Sequence, residues 1–300
     1  MKHLLRTLAA SLCLCTTNAF AEMVEVPTAG GDGDKLEFEV DLEGSYVGGG
    51  DIEREEFRIQ DMDEWNFLAR FLVLPETPIG ILRLGAEYEI YDFDMPEFQL
   101  PDRLQSAALI VGLDTKFSDE LLVRFEAKPG LYSGDELEGG DYNAPMILGG
   151  TYLYSSSLQF VFGVGIDWES DYFVLPGGGV RWKFHPQWVA NMTLPTPRLE
   201  YEVNNNLMLY VGADIRGKTY RVDDDLVSLP GDDGNVNNGV LRYSELRTGG
   251  GLQWRFGEGS KLSLEGGYMP HREFDYHRTD VRWHHEAGAP YGSVSFHLAF

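Results

Sequence analysis

Cysteine is nearly absent from this 300-residue chain: there are two, Cys13 and Cys15, both within the first 21 residues. Those residues, "MKHLLRTLAASLCLCTTNAFA", carry a positive start in Lys2 and Arg6, an apolar stretch from Leu8 to Leu14 and the small-x-small ending Ala19-Phe20-Ala21. This is the form of a secretory signal peptide, cut before Glu22. Leu12 and Leu14 precede the two cysteines where a lipoprotein signal needs a small residue, so no lipid anchor is expected. The mature chain then has no thiol, which excludes disulfides, thiolate nucleophiles and Cys-ligated metals. Basic residues are scarce as well, with 24 Lys and Arg against 48 Asp and Glu and a net charge of −24. Loss of Lys2 and Arg6 with the signal peptide takes the mature charge to −26. A chain so acidic is expected to be repelled by nucleic acid and by anionic phosphates, and neither nucleic acid nor nucleotide is expected as a partner. Nor does any mature stretch approach 18 consecutive apolar residues, so no helix is expected to cross a membrane.

What is present is alternation. "KLEFEVDLEGSY" sets Leu36, Phe38, Val40, Leu42 and Tyr46 against Lys35, Glu37, Glu39, Asp41 and Glu43. "RLGAEYEIY" sets Leu84, Ala86, Tyr88 and Ile90 against Arg83, Glu87 and Glu89, and "LLVRFEAK" sets Leu121, Val123, Phe125 and Ala127 against Arg124, Glu126 and Lys128. In "NLMLYVGADIRGK", Leu207, Leu209, Val211, Ala213 and Ile215 oppose Tyr210, Asp214, Arg216 and Lys218. A period of two gives each set its own face of a strand. Many strands are of bilayer-crossing length and carry several charges on one face, which suits a wet lumen better than a soluble sandwich. Aromatic residues near strand ends, Trp168, Trp182, Trp188, Trp254, Phe256 and Phe300, suit interface girdles.

The pattern predicts an all-β, closed antiparallel transmembrane barrel over residues 35–300, preceded by the signal peptide (1–21) and a flexible periplasmic leader (22–34). About fourteen strands are expected, with twelve the alternative, because the three between 176 and 203 are short. Short turns, "FSDE", "SSS", "HPQ", "NNN" and "GEGS", fall after every second strand, while nearly all the intervening connections are long. In outer-membrane barrels the short turns are periplasmic, which places both termini there.

The last strand alternates to the carboxylate, with Val294, Phe296, Leu298 and Phe300 on one face. It resembles the C-terminal signal by which the outer-membrane assembly machinery recognises barrels. That resemblance implies the assembly machinery, outer-membrane lipid and lipopolysaccharide as partners in a Gram-negative cell. A second resemblance lies in residues 194–222, "LPTPRLEYEVNNNLMLYVGADIRGKTYRV". Pro-x-Pro-x-Leu-x-Tyr, a polar turn and an alternating strand ending in Tyr-Arg are similar to a family of uncharacterised bacterial outer-membrane barrels catalogued only as a domain of unknown function. It implies a barrel and no established activity, so no functional residue is carried over.

Other motifs carry less. Gly212, Gly217, Lys218 and Thr219 in "GADIRGKT" have the spacing of a phosphate-binding loop. Alternation runs straight through them, and an acidic stretch without helical period follows. His271, His277, His284, His285 and Glu286 match no metal spacing, and Asp223, Asp224, Asp225, Asp232 and Asp233 do not keep that of a calcium loop. No metal and no cofactor is expected. Ser295 and His297 share a strand without an evident third partner, so no catalytic site is expected.

The predicted lumen charges are Glu37, Glu39, Asp41, Glu43, Arg83, Glu87, Glu89, Arg124, Glu126, Lys128, Asp214, Arg216, Lys218, Arg247 and Arg255, with Arg181, Lys183, Arg198, Glu200 and Glu245 on the same face. They suit a passive channel for small solutes, and the net charge suggests cation preference. The alternatives are a structural or adhesive barrel and, after these, an outer-membrane enzyme or a hydrophobic-solute transporter.

Overall fold

The computed structural model describes residues 36–95, 100–222, 236, 238–257, 259–277, 279 and 281–300. The signal peptide, the leader and the acids Asp223, Asp224, Asp225, Asp232 and Asp233 lie outside the described residues. Fourteen strands follow one another round a closed antiparallel barrel. They are β1 (Glu37–Arg54), β2 (Phe57–Leu74, continued by Glu76–Thr77), β3 (Gly80–Asp94), β4 (Arg103–Lys116) and β5 (Leu121–Ala127 with Gly130–Ser133). Next come β6 (Tyr142–Asn143 with Met146–Ser155), β7 (Leu158–Ile166), β8 (Val174–His185), β9 (Trp188–Asn191) and β10 (Arg198–Glu202). The circuit ends with β11 (Leu207–Arg221), β12 (Val240–Phe256), β13 (Ser260–Tyr276) and β14 (Arg282–Ala287 with Ala289–Ala299).

Closure comes from β14 pairing with β1, Glu39 opposite Ala299 through Val47 opposite Tyr291. At the seam Phe38 and Phe300 exchange backbone hydrogen bonds of 2.9 and 3.1 Å, and their rings stack 5.8 Å apart. The short turns expected from the sequence, the start of β1 and the end of β14 lie at one rim, here the turn end; the opposite rim is the loop end. Two expectations change in detail. β1 runs on to Arg54 rather than ending near 47, and a tight turn at Glu55 and Glu56 joins it to β2 where a longer loop was expected. Ile215, expected on the outer apolar face, is only 9 % exposed, whereas Leu209 and Val211 on the same face are 43 % and 57 % exposed.

The two faces of the wall exchange character part-way up. On β2 the outward side chains are Trp65, Phe67, Ala69, Phe71 and Val73, while Glu64, Asn66 and Arg70 point inward and are buried. Above Trp65 the outward residue is Asp63, and the inward ones are Met62 and Ile59. β3 repeats this, with Glu87 and Glu89 inward below Tyr91 and Phe93, and Tyr88 outward below Asp92 and Asp94. The apolar belt from Phe38 to Tyr46 on β1 spans about nine residues, the length of a strand crossing a bilayer. Past the belt water replaces lipid outside, so the apolar side chains turn inward and the charges turn out.

That upper part closes on itself. Arg221 at the end of β11 pairs in parallel with Ser133 at the end of β5, and the Gly134 N–H donates to the Arg221 carbonyl at 2.6 Å. A Cβ on Gly134 would stand 2.8 Å from Val222 Cγ1, so only glycine allows this approach. β11 to β14 and β1 to β5 thereby wrap a separate apolar core that includes Ile52, Leu104, Tyr220 and Trp283. Tyr243 is central, with ring centroids 4.9 Å from Phe274, 5.0 Å from Tyr91 and 5.5 Å from Phe93. β6 to β10 stop short of this cap; β9 and β10 have only four and five residues.

Candidate functional site

The lumen within the belt has a vestibule, open at the turn end, of about 770 Å³. Two rows of cross-strand partners line it. Arg70, Asp41, His297, Lys261 and Arg255 are successive partners on β2, β1, β14, β13 and β12. Gln159, Arg181, Asn191 and Arg198 are successive partners on β7 to β10. Asp41 accepts from Arg70 Nε at 3.0 Å and lies 2.7 Å from His297 Nδ1. Arg181 reaches Glu200 at 3.5 Å, and Arg198 lies over the Tyr210 ring at 4.5 Å. Gly212 makes room for that crossing, since a Cβ there would stand 2.8 Å from Arg198 Cγ. Of the expected lumen residues, Glu37 is exposed and Arg255 lies exposed at the mouth.

Deeper in, charges tie opposite walls together. Arg216 of β11 bonds to Asp214 at 2.7 Å and to Glu43 of β1. Lys218 reaches across to β3, where it bonds to Glu89 and lies 3.3 Å from Glu87, and to Ser106 Oγ of β4 at 3.1 Å. Lys128 donates to Glu87 at 2.7 Å, Arg83 to Glu126 at 3.0 Å and Arg124 to Asp114 at 2.6 and 2.7 Å. Arg247 Nη2 and Arg272 Nη2 converge on Glu64 at 3.0 and 2.6 Å, with the Tyr243 hydroxyl donating to the same carboxylate at 2.7 Å. Glu245 accepts from Arg247 at 3.2 Å. Glu64, Arg272 and Tyr243 were not among the residues singled out in the sequence. The inward phase of "EWNFLAR" identifies Glu64 once Trp65 and Phe67 are read as outward, but the bulge between Leu246 and Thr248 hides the phase of Arg272.

A second, smaller cavity of about 50 Å³ lies beyond this layer, lined by Lys218, Tyr132, Asn143 and Asp167 among others. Leu68 and Arg216 line both cavities and mark the constriction between them. The small cavity is bounded by β2, β3, β5, β6 and β11 and by Asp167, whose carboxylate accepts from Asn143 at 2.9 Å. The phosphate-loop spacing is part of one uninterrupted strand, with Lys218 held by carboxylates. The loop-end histidines are dispersed: His277 bonds to Asp171, His284 lies 3.2 Å from Glu53 and His271 3.9 Å from Glu273. Burial and the neighbouring Arg272 guanidinium push the His285 imidazole down to about 4, so it is neutral. Among the described residues no three His, Asp or Glu side chains are grouped to hold a metal ion.

A family model described as Domain of unknown function (DUF6268) matches residues 84–298. The chain belongs to this family. The DUF6268 match runs from β3 to the end of β14 and contains the 194–222 segment on which the resemblance was noted. No curated protein matches the chain. Among solved structures, this DUF6268 chain is similar to the COG4313 outer membrane channel from Pseudomonas putida F1, at 8% identity and a TM-score of 0.47, over 92% of this chain and 100% of that one. It is also similar to a TodX monoaromatic hydrocarbon channel deltaS2 mutant, at 13% identity and a TM-score of 0.44, over 93% and 94% of the two chains. The KdgM porin matches at 9% identity and a TM-score of 0.37, over 87% and 99%. The likeness is one of barrel architecture alone.

Proposed function

We propose that the protein is an outer-membrane channel for small polar solutes that rests closed, exported by its signal peptide and placed with the turn end in the periplasm. The observation that carries this reading is the polar vestibule of about 770 Å³ inside an apolar belt. It ends at a constriction of two side chains, Leu68 and Arg216, rather than at a solid apolar core. A solute would pass that constriction into the small cavity, which Asp167 helps to line.

The test trims the constriction without orphaning a charge. In planar bilayers Leu68→Ala is expected to raise single-channel conductance at least about twofold, and Leu68→Trp to abolish it. Equal currents from both variants would place the path elsewhere. Silence from folded protein in every case would favour a structural barrel.

Phe300 is proposed as the recognition point for the assembly machinery, with Leu298, Phe296 and Val294 on the same face. It also holds the seam, through two backbone bonds to Phe38 and a stacked ring. Deleting Phe300 is expected to leave most of the chain in the periplasm. Undiminished heat-modifiable barrel in the membrane fraction would contradict that role.

A cation preference, expected from the net charge, draws on acids outside the described residues and on those of β1. Asp41 and Glu43 are each engaged by an arginine, Arg70 and Arg216. Selectivity therefore turns on what else lines the vestibule.

A further inference from the structure

We infer that the vestibule is a binding site for small oxyanions, carboxylate or phosphate, and that the channel prefers anions. The inference deepens the channel reading and rests on it for its physiological meaning. Among the described residues the vestibule is lined by six basic side chains against four acidic ones, in a protein whose acids outnumber its bases by two to one. The four acids are all engaged. Asp41 faces both Arg70 and His297, Asp214 and Glu43 share Arg216, and Glu200 lies 3.4 Å from Asn191 Nδ2 as well as near Arg181.

The basic groups keep access to the cavity. The side chains of Arg181 and Arg198 remain 27% and 29% exposed, and Arg198 lies over the Tyr210 ring at 4.5 Å with the Glu265 carboxylate 3.9 Å from its Nη2. Alternation along β7 to β10 sets Gln159, Arg181, Asn191 and Arg198 side by side on the inner wall, two guanidiniums interleaved with two amides that can each donate N–H as well as accept. Arg255 and Lys261 are neighbours on the β12 and β13 wall of the same cavity. Guanidinium forks match the two-oxygen edge of carboxylate and phosphate, and charge-assisted bonds of this kind are the strong ones.

The test is calorimetric titration of detergent-purified barrel with inorganic phosphate and, separately, with succinate at low salt. Saturable binding of one or both is expected, and the tighter of the two identifies the class of oxyanion. Binding should weaken at least tenfold in Arg181→Gln/Arg198→Gln and fade as added salt screens the site. Arg255→Gln/Lys261→Gln, at the mouth, provides a second pair less tied to the fold and should weaken binding as well. No saturable heat from folded wild-type protein with either anion, or affinities unchanged in both variants, would overturn the inference. Reversal potentials in a potassium chloride gradient separate this from the channel reading. Cation-selective current from protein that binds neither anion sinks the site and leaves the channel, whereas binding without current does the reverse.

Discussion

Replacing Glu64 by Ala is expected to cost the barrel about 3–5 kcal/mol of stability, as breaking a buried charge pair from one side does. Glu64 is fully buried and is the point where Arg247 of β12, Arg272 of β13 and the Tyr243 hydroxyl meet, at 3.0, 2.6 and 2.7 Å. Without it two guanidiniums face each other with one carboxylate, Glu245, beside Arg247. Tyr243 is also the hub of the aromatic cap, so the loss reaches the apolar core above the charge layer. Urea unfolding in detergent, followed by tryptophan fluorescence, measures the effect. Glu64→Ala/Arg272→Met should recover a large part of it, because it removes one of the orphaned charges and fills its space. A Glu64→Ala protein within about 1 kcal/mol of wild type would mean that water or a rearranged Glu245 already carries these arginines.

The second large effect is expected at Val211, which is 57 % exposed on the outer face of β11 between Leu199 and Gly250. Val211→Arg should cost roughly 2–4 kcal/mol, the penalty for a cation on the lipid face of a barrel near the bilayer midplane. Asp94→Arg, on the outward face of β3 above the exchange of faces, is expected to stay within about 0.5 kcal/mol of wild type. The contrast is the check. Equal costs at the two sites would mean that the apolar belt does not face lipid.

Period-two alternation made the barrel and the phase of its strands legible without coordinates, because each is a local property of a strand, while the alternation of short and long connections pointed to about fourteen strands with twelve left open. The shortness of β9 and β10 was legible too, from the spacing between Trp188 and Glu202. Three things were not. The exchange of faces was hidden because Val47, Ile52 and Met62 keep an alternating texture while the bulges near Val47 and Gly50 reset its phase. The cap depends on Gly134 meeting Arg221, a contact between strands far apart in the chain. Whether lumen charges would pair or line a pore was likewise nonlocal, since Lys218 finds Glu87 and Glu89 about 130 residues away. The overall charge of −24 pointed to a cation pore, whereas the described lining of the vestibule is richer in bases than acids. Net charge averages over surfaces a solute never meets.

The exchange of faces at Trp65 and Glu64 also sets how deep the molecule sits. Were the barrel to sink by two residues of strand, Asp63 on β2 and Asp92 on β3 would enter hydrocarbon together. Were it to rise by as much, Trp65 at the loop-end edge of the belt would come out into water. A thicker or thinner bilayer therefore has to deform around this protein, since shifting the barrel relieves one rim only by straining the other.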